Sequence, residues 1–246
     1  MKADASPVFL TAEWRHLAML NYEVDPNILA PILPNGTELD VWHGKNFISV
    51  VGFRFLNTRV LGSPIPFHRN FEEVNLRFYV RRKSPDGWRR GVVFIKELVP
   101  RIAIAWTARA FYHEPYVAVP MSHQIEVAEE TTFASYSWRF QGNLNFLKLA
   151  VGGEAQPSSA GSGQEFITEH YWGYTAQRDG STLEYQVEHP PWRVREAATA
   201  ELHCDIAGCY GEAFGAALSA PPASAFLAEG SAVTVRKGVR IFSSPK

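Results

Sequence analysis

The sequence predicts a mainly antiparallel β protein with a few short helices, and three observations carry that expectation. FEEVNLRFYVRR alternates apolar and polar residues with period two, the spacing of a strand. The turn motifs PNG, SPDG and QRDG fall between extended runs, as hairpins require. No internal repeat or long linker divides the 246 residues, so one domain over 1–246 is the economical organisation.

In chain order, the first residues read as a frayed start. VDPNILAPILP then offers Asp25 as N-cap and Pro26 at the first helical position, where a missing N–H costs nothing. ELDVW, HGK and NFISVVGFRF read as a first hairpin. LGSPIPFHRN is a proline-punctuated loop, and FEEVNLRFYVRR, SPDG and WRRGVVFIKEL form a second hairpin. PRIAIAWTARAFY places Ala105, Arg109 and His113 at four-residue spacing, which favours a short helix, although its isoleucines, Trp106 and Thr107 also suit a strand. TTFASYSWRF is extended. GGEAQPSSAGSGQ at 152–164 lacks periodicity and is rich in Gly and Ser, the composition of a mobile surface loop. EFITEHYWGYT, QRDG and STLEYQVEH make the clearest hairpin, and HPPW ends it because proline cannot donate to a ladder. REAATAELHCDIAGCYGEAFGAALS is expected to be partly helical, and FLAEGSAVTVRKGVRIF to give two last short strands around a glycine.

Composition narrows the function classes. Hydrophobic residues make up 46% and charged residues 20%, enough apolar surface for a real core. Twenty-four basic and 25 acidic residues leave a net charge of −1, so no overall field draws the chain to nucleic acid or anionic lipid. MKADASPVFLTAEWRH lacks the apolar core of a signal peptide, and no run of about 18 apolar residues suggests a membrane span; the cytoplasm is the expected location. Cys204 and Cys209, in HCDIAGC, suit neither a CxxC pair nor a zinc site and are expected to be unlinked. The histidines give no HxH or HExxH pattern, so no metal is expected. GxSxG, Walker A and GxGxxG are absent in usable context, and no cofactor is expected.

The chemistry-bearing residues sit at alternating positions. Val74, Leu76, Phe78 and Val80 share one face of their strand, and Glu73, Asn75, Arg77, Tyr79 and Arg81 share the other. On a half-exposed sheet the second row is a solvated face. In a closed barrel it points inward, where a carboxylate flanked by arginines forms an anion-accepting or acid/base site. Lys96 shares a face with Val92 and Phe94 by the same alternation: an edge lysine against aggregation, or, if enclosed, a base or imine-forming nucleophile. His189 falls with Leu183, Tyr185 and Val187, where a satisfied core histidine is the commoner outcome.

The runs WRHLAMLNYEVDPNILAPILPNGTELDVW, FISVVGFRF, FEEVNLRFYV, GVVFIKELVPRIAIAWTARAFYHEPYVAVPM and TLEYQVEHPPW resemble the uncharacterised DUF2071 or YqjF-like family over most of residues 10–195. More remotely, that family resembles the acetoacetate decarboxylase superfamily. The resemblance implies an antiparallel, cone-shaped β-barrel with an internal ligand cavity, matches Glu73 to the family glutamate, and implies a homo-oligomer. It also implies two adjacent lysines just past a proline, one forming the Schiff base. Here the matching proline is Pro115, followed by Tyr116 and Val117. Without an amine no protonated imine forms to accept electrons as carbon dioxide leaves, unless Lys96 reaches the cavity.

Two functions fit. In a small-molecule enzyme without a Schiff base, a lyase or isomerase of keto or hydroxy acids, Arg77 and Arg109 hold an anionic substrate. Glu73 is then the general acid or base, with Asn75, Tyr79, His113 and Tyr116 positioning the substrate. In a binding or sensing barrel, Trp42, Trp106, Tyr112 and Tyr116 line the cavity around an acidic or aromatic metabolite.

Overall fold

The structure, a computed structural model, describes residues 6–64, 68–100, 115–128 and 130–242. Among these residues the strands are β1 Val8–Val24, β2 Glu38–Leu39, β3 Asn46–Val60, β4 Ser63–Pro64, β5 Phe71–Ser84, β6 Gly87–Val99, β7 Tyr116–Ala118 and β8 Met121–Val127. They continue with β9 Thr131–Phe140, β10 Asn143–Gly152, β11 Gln156–Pro157, β12 Trp172–Ala176, β13 Thr182–Glu188, β14 Arg193–His203, β15 Ser224–Arg236 and β16 Val239–Ile241. Four short α-helices, α1 Pro26–Leu29, α2 Gly163–Thr168, α3 Ile206–Tyr210 and α4 Gly215–Ser219, and two 3-10 turns, Ala30–Ile32 and Glu212–Phe214, complete the set among the described residues. The fold is mainly β, as the alternation requires.

The strands join one sheet, ordered β16, β13, β12, β6, β5, β3, β1, β15, β14, β10, β9, β8 along its main path. β13 also pairs with β15 through Val187↔Val235 and Glu188↔Thr234, so the path returns to itself through seven strands. Most neighbours are antiparallel; β12 and β7 lie parallel to β6.

β5 is buried on both faces. Val74, Leu76, Phe78 and Val80 enter one apolar cluster with Leu20, Tyr136 and Trp138, while Tyr79 enters a second with Val51, Phe53, Phe166 and Trp192. Each such aliphatic or aromatic side chain contributes about 2 kcal/mol by leaving water. The polar row of β5 therefore does not face solvent, except where Arg81, at its end, pairs with the half-exposed Glu38.

Several elements match the sequence reading. Asp25 caps α1, its carboxylate accepting from Asn27 N–H at 2.8 Å, and the β5–β6 and β12–β13 hairpins form as expected. Others differ for identifiable reasons. The expected frayed start is instead β1, paired to both β3 and β15. Its alternation is broken at His16, which has φ 55° beside a register shift, and a bulge of this kind hides the period-two pattern. The expected first hairpin is only a Trp42↔Lys45 bridge, because Glu38–Leu39 pairs with β5.

EFIT is helical rather than extended. Ser162 accepts from Glu165 N–H at 3.2 Å and Glu165 reaches back to Gly161 N–H at 2.6 Å, a capping arrangement that starts α2. REAATAELH is a strand, since its ladder with β10 overrides the helical preference of alanine and glutamate. The 152–164 segment is anchored by β11 on β14 and by the Ser162 cap. β15 runs unbroken through Gly230, whose φ of 77° is free for glycine while an added Cβ would meet Trp14 O at 2.0 Å. The helix expected around Ala105, Arg109 and His113 lies outside the described residues.

Candidate functional site

Side chains of β1, β3, β5, β6, β7, β12 and β13 line a cavity of about 140 Å³, comparable to cavities of about 150 Å³ that hold one benzene molecule. Most of the wall is aromatic or aliphatic, including Trp14, Phe53, Phe55, Phe94 and Trp192. Glu73, Asn75 and Arg77 project into it from β5, so these side chains face the interior despite their polarity.

β6 decides what stands opposite. In its ladder with β5, Leu76 pairs with Lys96 but Arg77 pairs with Phe94. The skipped Ile95 is a β-bulge, which inverts the alternation beyond it. Phe94 and Glu97 consequently both line the cavity. Lys96 does not: its Nζ lies 4.8 Å from the centre of the Phe140 ring, on the opposite face. The candidate amine is therefore placed away from the site. No lysine lines the cavity among the described residues, and residues 65–67 and 101–114 contain none in sequence.

Glu73 is 2% exposed. It accepts from Asn75 Nδ2 at 2.9 Å and from the Tyr116 hydroxyl at 3.2 Å. Tyr116 is fixed by β7, which lies parallel to β6 with Tyr116 opposite Glu97. A carboxylate requires a donor, so the Asn75 amide must turn Nδ2 toward Glu73. Its Oδ1 is then left buried without a hydrogen bond.

Arg77 is 9% exposed, its Nε is buried without a partner, and among the described residues no ion pair reaches its guanidinium. Its guanidinium carbon lies over the Tyr79 ring, 5.7 Å from the ring centre. Tyr79 itself does not line the cavity; its hydroxyl is engaged with Ser49 Oγ at 2.6 Å, and Ser49 donates to Asn21 at 2.6 Å.

The sequence reading missed a dyad. α2 ends at Thr168 with Glu169 as its C-cap, which delivers His170 to the cavity wall, where Asp40 Oδ2 accepts from His170 Nε2 at 3.0 Å and from Arg90 Nε at 2.6 Å. Asp40 is held by its own N–H on Tyr79 O at 3.0 Å. Burial, reinforced by the charges of Arg90 and Arg77, lowers the pKa of His170 to about 4 against the pull of Asp40, so the imidazole is neutral near pH 7. Burial alone would raise the pKa of Asp40, but the bonds from His170 and Arg90 outweigh it and keep the carboxyl below its ordinary value. Asp40 and His170 lie 130 residues apart, and no local motif announces them. Glu97 was missed because the bulge that turns it inward leaves no mark in the alternation.

His189 also lines the cavity, stacked on Trp192 with centroids 4.1 Å apart; burial lowers its pKa to about 4. Trp42 packs on Phe47 and Phe166 outside the lining. Arg109, His113, Trp106 and Tyr112 lie outside the described residues. Cys204 and Cys209 are both free.

The family model for DUF2071, an uncharacterized conserved protein, matches residues 11–232. The chain belongs to the DUF2071 family. A curated relative, the uncharacterized protein YqjF of Bacillus subtilis (strain 168), is 29% identical over 191 residues, covering 75% of this chain and 74% of its own. Two solved structures show the fold this DUF2071 member shares. The acetoacetate decarboxylase of Legionella pneumophila matches with a TM-score of 0.64 at 16% identity, covering 98% of this chain and 92% of its own. The enduracididine biosynthesis enzyme MppR, complexed with pyruvate, matches with a TM-score of 0.68 at 12% identity, covering 97% and 92%. At these identities the likeness is one of fold, acetoacetate decarboxylase-like.

Proposed function

We propose that this DUF2071 protein takes a small carboxylate, a keto or hydroxy acid, into a cone-shaped barrel cavity and acts on it without a Schiff base. The return of the sheet through β13 and β15 supports the barrel, and the pyruvate carried by the MppR structure supports the ligand class. The observation that carries the reading is Arg77, a guanidinium nine-tenths buried in the cavity wall with no carboxylate paired to it among the described residues. A buried charge is costly unless it is compensated, and a bound carboxylate compensates it with charge-assisted hydrogen bonds. The cavity volume limits that ligand to a few heavy atoms.

Glu73, within the same wall, exchanges a proton with the bound acid, and Tyr116, standing just past Pro115 where the superfamily carries its lysines, positions Glu73 through its hydroxyl. Proton transfer and isomerisation are the reactions such a pair supports. Imine chemistry is not among them, because the bulge at Ile95 turns Lys96 away.

Calorimetric titration with propionate, lactate and pyruvate tests the reading. At least one should bind saturably, with binding lost in Arg77→Met, and borohydride with pyruvate should leave no covalent mass increase. Proton NMR of the bound acid in deuterated water separates turnover, seen as exchange at carbon, from a receptor that leaves its ligand unchanged. Binding that survives Arg77→Met would overturn the proposal.

A further inference from the structure

We infer that Cys204 and Cys209 form a reversible oxidation site: the folded chain holds their thiols together, so that a small-molecule disulfide of the oxidised glutathione type converts them to an intramolecular disulfide. Neither residue lines the cavity, and the inference stands apart from the carboxylate seat.

Local structure brings the pair together. Asp205 caps α3, its carboxylate accepting from Gly208 N–H at 3.1 Å. Cys204 stands just before that cap and Cys209 four residues after it, the two places whose side chains meet where a helix begins. Asn145, on β10, fixes the same turn: its Oδ1 accepts from Asp205 N–H at 2.8 Å and from the Cys209 thiol at 3.8 Å. The Cys204 thiol in turn donates to the Cys209 sulfur. A chain of hydrogen bonds therefore runs from Cys204 through Cys209 to Asn145.

The two sulfurs differ in access and in charge. Cys209 is fully buried, whereas Cys204 is half-buried, so an oxidant meets Cys204 first. The bond between them holds the Cys209 thiol below its ordinary pKa and, with burial, pushes that of Cys204 above. The pair thus ionises as one group, a single anion shared across the S–H···S contact. Lys96, turned away from the cavity by the bulge at Ile95, is the cation that faces both sulfurs and favours this anion. Trp138 supports it too: its indole N–H, 1% exposed and buried without a hydrogen-bond partner, faces Cys209. Asp205 opposes the anion, but its carboxylate is engaged by Gly208 N–H and by Asn143 Nδ2 at 2.8 Å.

The reaction is thiol–disulfide exchange. The proton crosses to Cys209 as the Cys204 thiolate attacks one sulfur of the oxidant, forming a mixed disulfide and releasing one small thiolate. Cys209 then loses its proton and attacks Cys204 Sγ, forming the protein disulfide and releasing the second. The two protons given up by the protein go to the two departing thiolates. The protein loses two electrons and the oxidant is reduced by two.

The test is the intact mass of the full chain after incubation with oxidised glutathione at pH 7.5. Because these are the only two cysteines in the sequence, loss of two hydrogens reports this pair alone. The wild type should lose two hydrogens, keep no glutathione, resist alkylation once denatured, and recover both thiols in dithiothreitol. Cys209→Ala should stop at one stable glutathione adduct, and Lys96→Met should slow oxidation about fivefold. In a glutathione redox buffer the equilibrium constant for the disulfide should be at least about tenfold larger in the folded chain than in urea, a comparison that needs no variant. A wild-type chain that keeps its glutathione adduct, that leaves both thiols open to alkylation, or that forms the disulfide no more favourably when folded than in urea would overturn the inference.

Discussion

Two regions of this protein gather guanidinium groups around buried sites, and they resolve the charge in opposite ways. Around Glu184, on β13, Arg82 donates at 3.0 Å and Arg89 at 2.6 Å to a carboxylate whose side chain is 6% exposed. In the cavity, Arg77 is equally deep and has no such partner among the described residues. The fold can evidently place an acid against an arginine where it needs one, as it does again with Asp40 and Arg90. The Glu184 cluster is closed chemistry that holds strands together, whereas the Arg77 wall has no paired acid among the described residues and is the wall proposed above to take a carboxylate.

The contrast breaks most visibly at Glu184. Glu184→Gln leaves two arginines without their shared acid, and urea unfolding should show a loss of about 3 kcal/mol, the cost of breaking a buried pair, lowered by the partial exposure of both arginines. Next in size is an acid limb. His170 has a folded pKa of about 4 against about 6.5 unfolded, so the unfolded chain binds the extra proton between those values. Its contribution is complete above pH 6.5 and lost as pH falls toward 4, on the order of 2–3 kcal/mol; Asp40, Arg90 and Arg77 are the charges that face it. In His170→Phe the unfolding free energy should fall less steeply over that window.

Arg77→Met should do the reverse of Glu184→Gln. Replacing an uncompensated buried charge by an apolar chain of similar length should leave stability unchanged or raise it by about 1 kcal/mol, while carboxylate affinity falls at least about thirtyfold. The smallest effect belongs to Lys96. Lys96→Met removes one cation–π contact, worth about 0.5–1 kcal/mol, and should leave ligand affinity unchanged. A Lys96→Met protein that folds normally and no longer binds its acid would place the amine back in the chemistry.

The strand alternation made half of the site legible. Glu73, Asn75 and Arg77 were recognisable as one row from period two, and Tyr116 from its place after Pro115. What alternation hides is its own interruption. The bulge at Ile95 exchanges Lys96 for Glu97 at the cavity, and the bulge at His16 made β1 look like an unstructured start. Asp40 and His170 were out of reach for a different reason, since their meeting depends on β2 pairing with β5 and on α2 ending beside it. The Ser162–Glu165 cap that starts α2 was present in the sequence as SGQE and is a readable signal.

The central claim, that Arg77 is held open for a ligand, is tested most directly by the urea-unfolding midpoints of the wild type and Arg77→Met, each with and without saturating lactate. A ligand that binds only the folded state raises the midpoint. Lactate should therefore raise the wild-type midpoint and leave that of Arg77→Met unmoved, with the ligand-free variant at least as stable as the wild type. An Arg77→Met protein that is less stable by about 2 kcal/mol or more, and still stabilised by lactate as the wild type is, would show that Arg77 serves the fold and not the ligand.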